Sequence, residues 1–243
     1  MTNELYCELY SKLNFMKEIS ENFKIFYDSW WSDKCLSYRG SNLSDYYDIF
    51  FSRFVTYNSL YNTIIYSKES LGILKKRTNR NTHKIVERGD KEKATILMAK
   101  ELSSSELDIL FEKPEIIESI ESLIEILESH RFVITHKAGQ QVPTDDLLIL
   151  AKLRHTDKKE NYLGILELLY NVRCNLFHGS KGYERNQIEL LKPINEMIFF
   201  IVNSLYDSFN KMIDNLIIET EKEIKLIIDT KKEINNVENG NCY

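Results

Sequence analysis

One stretch of this chain gathers reactive side chains more densely than any other: Asn171-Val172-Arg173-Cys174-Asn175-Leu176-Phe177-His178-Gly179-Ser180-Lys181. A guanidinium offers a planar fork of donors that suits phosphate oxygens. An imidazole titrates close to neutral pH and can take or give a proton. Together they suit acid–base chemistry at a phosphate. On a helix, Arg173 and His178 stand about 140° apart around the axis and roughly 7.5 Å apart along it. They therefore flank Val172 on opposite sides and cannot easily meet within one helix. Two such helices facing each other across a twofold axis would bring the flanking groups of both copies into one cleft. The partial negative charge at a helix C-terminus favours the protonated imidazole.

Other chemistries lack their residues. His83, His130, His136, His155 and His178 form no HExxH or other metal-ligand pair at helical spacing. No Gly-x-Ser-x-Gly elbow and no Gly-x-Gly fingerprint occurs. Cys7, Cys35, Cys174 and Cys242 are far apart and read as reduced thiols. The first residues carry no signal-peptide pattern and no apolar run approaches a membrane span. A cytoplasmic protein is expected, without a membrane association.

The elements that must position this string are helical. Only 8 Gly and 3 Pro occur in 243 residues, too few for a chain of hairpins and turns. A first helix is expected over residues 2–31, with Leu5, Leu9, Leu13, Met16, Ile19 and Phe23 on its apolar face. A second, rich in aromatics, follows a cap at Ser44 and runs through residue 66; aromatics at helical spacing read as core. Ser105 and Pro114 open short helices, residues 131–144 read as irregular, and Asp145 starts another short helix. The helix over 160–178 carries the stripe Ile165, Leu169, Val172, Leu176, and Gly179 sits at its C-cap position. A last helix over 186–235, with Pro193 in its first turns, is long enough to extend past its own core toward a partner or second subunit. The chain reads as one all-α domain, an antiparallel bundle, with residues 1–44 as an N-terminal extension and 68–144 as a charged helical insertion.

Charge is uneven along that insertion. The chain as a whole has 32 basic and 37 acidic residues, a net charge of -5. Residues 68–100 hold ten Lys and Arg against four acids, whereas residues 101–130 hold nine acids and only Lys113. The basic block reads either as a phosphate-binding surface or as a solvated face balanced by its acidic neighbour.

The Arg173–Lys181 string resembles the HEPN family, whose members carry an Arg-x4-6-His motif at the end of a helix in a helical bundle. Asn175-Leu176-Phe177-His178-Gly179-x-Lys181 is similar to the extended form of that motif, and the aromatic helix around Phe50–Asn62 is similar to an early helix of such proteins. Arg77/His83 and Arg131/His136 also fit the bare spacing, but lack the helix end with Asn, Gly and Lys around it. The resemblance implies a homodimeric, metal-independent endoribonuclease of the toxin or abortive-infection type, with no cofactor and with RNA as substrate. It implies His178 as general acid or base, Arg173 as the group stabilising the phosphorane, and Asn175 and Lys181 as substrate-binding residues. An antitoxin or regulatory partner is also implied. Where the toxins silenced by a nucleotidyltransferase antitoxin place a Tyr, two residues after the His, this chain has Ser180. The alternative reading is a non-catalytic helical module of the same type that binds RNA, a nucleotide or a protein.

Overall fold

Apolar residues recurring every three or four positions build eight α-helices in the computed structural model, which describes residues 2–36, 42–129, 144–177 and 187–240. Helix α1 (Thr2–Phe26) continues into a wider π-helical segment, Tyr27–Leu36. Helix α2 spans Leu43–Ser70. Helix α3 (Asp90–Glu92) runs on through a π turn, Lys93–Leu97, and a 3₁₀ turn, Met98–Lys100. Then come α4 (Ser104–Phe111), α5 (Pro114–Glu128), α6 (Thr144–Leu153), α7 (Lys158–Phe177) and α8 (Gln187–Gly240). Among the described residues no strand occurs, only an isolated antiparallel bridge between Thr78 and Ile85. The molecule is an all-α helical bundle.

Helix α8 is its spine. Ile194, Met197, Ile198, Ile201, Val202 and Leu205 are fully buried where α1, α2 and α5 pack around it. At 54 residues it is about 80 Å long, and its distal half extends beyond these inner contacts. That half is flanked by α1 of the same chain. Lys17 pairs with Glu221 at 2.6 Å, and the Lys231 ammonium lies over the Tyr6 ring. The two helices thus run antiparallel. Leu5, near the free end of α1, is 48% exposed although it continues the apolar stripe. Pro193 lies inside α8 at its seventh residue and does not delay its start.

Two local expectations change. Asn42, not Ser44, caps α2: its side chain accepts from the Asp45 amide at 3.1 Å, and the Asp45 carboxylate accepts from the Asn42 amide at 3.2 Å. The reciprocal bonds satisfy two donors where Ser44 would satisfy one. Ser103 caps α4 in the same way with Glu106, so that helix opens at Ser104. The irregular segment expected over 131–144 lies outside the described residues up to Gln141, Val142 and Pro143, and α6 already begins at Thr144.

Residues of the charged middle enter the same core. Ala94, Met98, Leu107, Leu110, Ile116 and Leu123 are buried with residues of α2, α7 and α8. Four of the ten basic groups of residues 68–100 are held in ion pairs, three of them with acids of their own block. Arg77 pairs with Glu92, Arg88 with Glu69 and Glu92, and Lys93 with Glu87, while Lys68 reaches Glu101.

The seat of α7 depends on one glycine. A methyl carbon added at Gly164 would stand 2.7 Å from the Lys152 Cβ and 3.4 Å from the Leu153 amide nitrogen. Helices α6 and α7 cross closely there because no side chain intervenes. Gly164→Ala should destabilise the fold by about 1–3 kcal/mol, read from the urea midpoint. Unchanged stability would contradict this close crossing.

Candidate functional site

The last turns of α7 carry the guanidinium singled out by sequence. Buried Val172 and Leu169 hold that end of the helix against the core, and Arg173, next in sequence, projects from its flank. Its guanidinium lies 5.7 Å from the Phe54 ring of α2 and 6.0 Å from the Tyr170 ring of its own helix. Such contacts attract the cation and restrict its rotamers. The side chain remains 28% exposed, and its Nη1 stands 3.9 Å from the Asp90 carboxylate at the start of α3. Partial burial opposes the charge, but the Cys174 thiol, Asp90 and Tyr170 outweigh it and hold the guanidinium above its usual value.

Asp90 is itself held. The Tyr61 hydroxyl donates at 2.5 Å to Asp90 and also lies against the Asn58 amide oxygen. It has one proton for two acceptors. One turn earlier on α2, the buried Tyr57 hydroxyl donates to the Ala94 carbonyl in the π turn. Tyr57 and Tyr61 thereby dock the α3 segment onto α2, and Asp90 comes to rest beside Arg173. Burial, then the neighbouring Asp90, pushes the Tyr61 phenol far above its ordinary range. Burial likewise raises Tyr57 and Tyr162. Tyr170 is pushed up to about 12 by burial, then by Cys174 and Asp90.

The candidates from sequence are distributed as follows. Arg173 is on this aromatic shelf. Asn175 is half-buried and lies two residues further along α7, hence about 200° around the axis, on the opposite side from Arg173. His178 and Lys181, with Gly179 and Ser180, lie outside the described residues, as do Arg131 and His136. Cys174 is a half-buried free thiol 3.9 Å from the Arg173 Nη1. Arg77 and His83 do not form a pair: Arg77 is bound to Glu92, and His83 closes an exposed turn. Sequence reasoning missed Asp90, Tyr61 and Tyr170. The aromatic helix hinted at Tyr61, but nothing local to Asp90 marks it as the carboxylate that meets Arg173.

The arrangement offers a cation on an aromatic shelf, partly open to solvent, with the Asp90 carboxylate at 3.9 Å. It is suited to receiving an anion with several acceptor oxygens. Among the described residues no group of three His, Cys, Asp or Glu could hold a metal ion, and no helix is long and apolar enough to cross a membrane. An open groove of about 790 Å³ between α1 and α2, walled by Phe15, Ile19, Phe26 and Tyr66, shares no residue with the Arg173 cluster. No protein-family model, curated protein or solved structure matches the chain.

The buried phenols give this region an alkaline limit. Their folded pKa values are raised, so above pH 10 the unfolded chain has released protons that the folded one still holds. Stability therefore falls as pH rises from about 10 through the folded values. Of the 14 tyrosines, Tyr170 should ionise late, at about 12, and Tyr57, Tyr61 and Tyr162, raised further still, only as the helices melt. Phenolate absorbance and circular dichroism followed together in one alkaline titration check this. Complete ionisation near pH 10 with the helices intact would contradict it.

Proposed function

We propose that the chain is a metal-independent endoribonuclease of the HEPN type, acting as a homodimer in which two copies of the Arg173–His178 segment form one composite site. The observation that carries this reading is the Arg173 guanidinium, held on the Phe54 and Tyr170 rings at the end of α7 and still 28% exposed. It lies five residues before the only imidazole in the string. A toxin or anti-phage effector that cleaves RNA, with an antitoxin or regulatory partner, is the biological setting this reading implies.

In the proposed reaction, His178 of one protomer takes the proton of the RNA 2′-hydroxyl as that oxygen attacks the adjacent phosphorus. The new bond is O2′–P and the bond that breaks is P–O5′. A protonated His178 from the second protomer gives its proton to the departing 5′-oxygen, so the site ends with the proton exchanged between its imidazoles. Arg173 donates to the non-bridging oxygens, where negative charge builds in the phosphorane, and its fork matches two of them at once. The products carry a 2′,3′-cyclic phosphate and a 5′-hydroxyl. Lys181 would neutralise a flanking phosphate and Asn175 would orient the imidazole or a phosphate. Asp90 would give up its long contact with Arg173 when substrate phosphate arrives.

A second reading, non-catalytic binding of RNA, a nucleotide or a protein, draws support from the exposed cations between α2 and α3. Purified protein incubated with RNA in excess EDTA separates the two. Cleavage that persists with chelator and falls by about 10²-fold or more in both Arg173→Ala and His178→Ala is expected. Equal cleavage in wild type and variants would overturn the catalytic reading. Salt-dependent binding without any cleavage would favour the second.

A further inference from the structure

The connection between α2 and α3 concentrates positive charge in a run without any acid among it. Residues 72–86 contain no Asp or Glu, and five of them are cationic: Lys75, Lys76, Arg77, Arg80 and Lys84. The segment is a built turn. Thr78 and Ile85 bridge, the Val86 amide donates to the Arg77 carbonyl at 2.9 Å, and the Asn79 amide donates to the Lys84 carbonyl at 2.9 Å. At the apex the Asn79 side chain accepts from the amides of Asn81 and Thr82. His83 takes a left-handed φ of 54° to close the loop. Arg88 braces the base by donating to the Lys75 carbonyl at 2.7 Å while paired with Glu69 and Glu92.

Two groups of cations can be told apart. Arg77, Arg88 and Lys93 are bound to carboxylates and hold the turn to the body. Lys75, Lys76, Arg80 and Lys84 are exposed, and among the described residues no carboxylate lies within ion-pair distance of any of them. Four like charges within ten residues repel one another, and a polyanion relieves that repulsion. From Arg88 the chain needs only Gly89 to reach Asp90, the residue that meets Arg173.

We propose that the turn over residues 75–84 is a docking surface for the phosphate backbone of single-stranded RNA, leading the strand to the Arg173 end of α7. The proposal rests on the ribonuclease reading for the strand's destination, but its binding test does not depend on cleavage. A lipid surface is the less favoured partner. The apex residues Asn79, Arg80, Asn81, Thr82 and His83 are all polar, and exposed Ile73 and Ile85 sit below the apex rather than on it.

The test is fluorescence anisotropy with a labelled oligouridine of about 20 nucleotides, in EDTA, using the full chain carrying His178→Ala so that the RNA stays intact. Replacing Lys75, Lys76, Arg80 and Lys84 together by Ser should weaken binding about tenfold or more at 0.1 M salt. It should also flatten the slope of log K against log salt by up to about 2.8, at roughly 0.7 per lost phosphate contact. The pairwise variants Lys75→Ser/Lys76→Ser and Arg80→Ser/Lys84→Ser, which disturb the turn less, should each take about half of that change. Lys222→Ser/Lys225→Ser, exposed cations on distal α8, should leave the slope unchanged. Unaltered affinity and slope in the folded quadruple variant would overturn the proposal, as would an equal loss in the α8 control. So would turn-dependent sedimentation with phosphatidylserine vesicles combined with unchanged RNA affinity. If the turn variants lose binding while no protein cleaves RNA, the docking surface stands and the ribonuclease reading falls. If the quadruple change, made in the chain that retains His178, leaves both RNA affinity and cleavage intact, the reverse holds.

Discussion

Helix α2 fixes what surrounds it on two sides. Its buried run Phe50, Phe54, Tyr57, Leu60, Tyr61 and Ile64 fills the space between α8 and the segment that follows the basic turn. Each such side chain contributes about 1.5–3 kcal/mol by leaving water. Toward α8, the buried Arg53 donates to the Asn195 carbonyl at 2.5 Å and lies over the Phe199 ring, and Asn195 donates back to the Tyr46 carbonyl at 3.0 Å. Toward α3, Tyr57 and Tyr61 take hold of Ala94 and Asp90. Arg173 then meets a ring from α2 and a carboxylate that α2 has positioned. The guanidinium is thus placed by a neighbouring helix as much as by its own.

The helices were legible because their signal is local. Ile165, Leu169 and Val172 are buried as their spacing requires, and Pro114 begins a helix because its missing amide is not needed there. The aromatic helix reads as core at Phe50, Phe54, Tyr57 and Tyr61, although Phe51 and Tyr66 on its other side are exposed. Tertiary choices were not legible. Ser44 and Asn42 are both acceptable caps, and only the reciprocal bond with Asp45 separates them. The π-helical run at Tyr27–Leu36 leaves no mark in apolar spacing, since it arises where Tyr27 stacks on Tyr206 and Trp31 on Phe199. For the candidate site, sequence picked out Arg173 and its string but not Asp90, which lies far away along the chain and meets Arg173 only through the docking of α3.

Net charge is a poor guide to this molecule, and the ion pairs show why. Four of the ten cations of the basic block, Lys68, Arg77, Arg88 and Lys93, are paired with Glu69, Glu87, Glu92 and Glu101. Of the other six, Lys75, Lys76, Arg80 and Lys84 stand on one short turn before α3. A chain with a net charge of -5 can still present a local positive surface. Among the described residues no acid of α4 or α5 pairs with that turn; Asp108 pairs with Lys158 and Glu128 with Arg154 instead. Long-range attraction between the turn and an RNA strand is screened beyond about 8–10 Å at physiological salt, so proximity to Arg173 matters more than the total.

In the proposed reaction the Arg173–His178 segment drives attack by a ribose 2′-hydroxyl on its neighbouring phosphate. Replacing that single hydroxyl by hydrogen at a mapped cleavage position in an RNA oligonucleotide tests this directly. Cutting is expected to stop at the substituted position, to continue at unsubstituted ones, and to leave 2′,3′-cyclic phosphate ends. Cutting that persists at the 2′-deoxy position would contradict it.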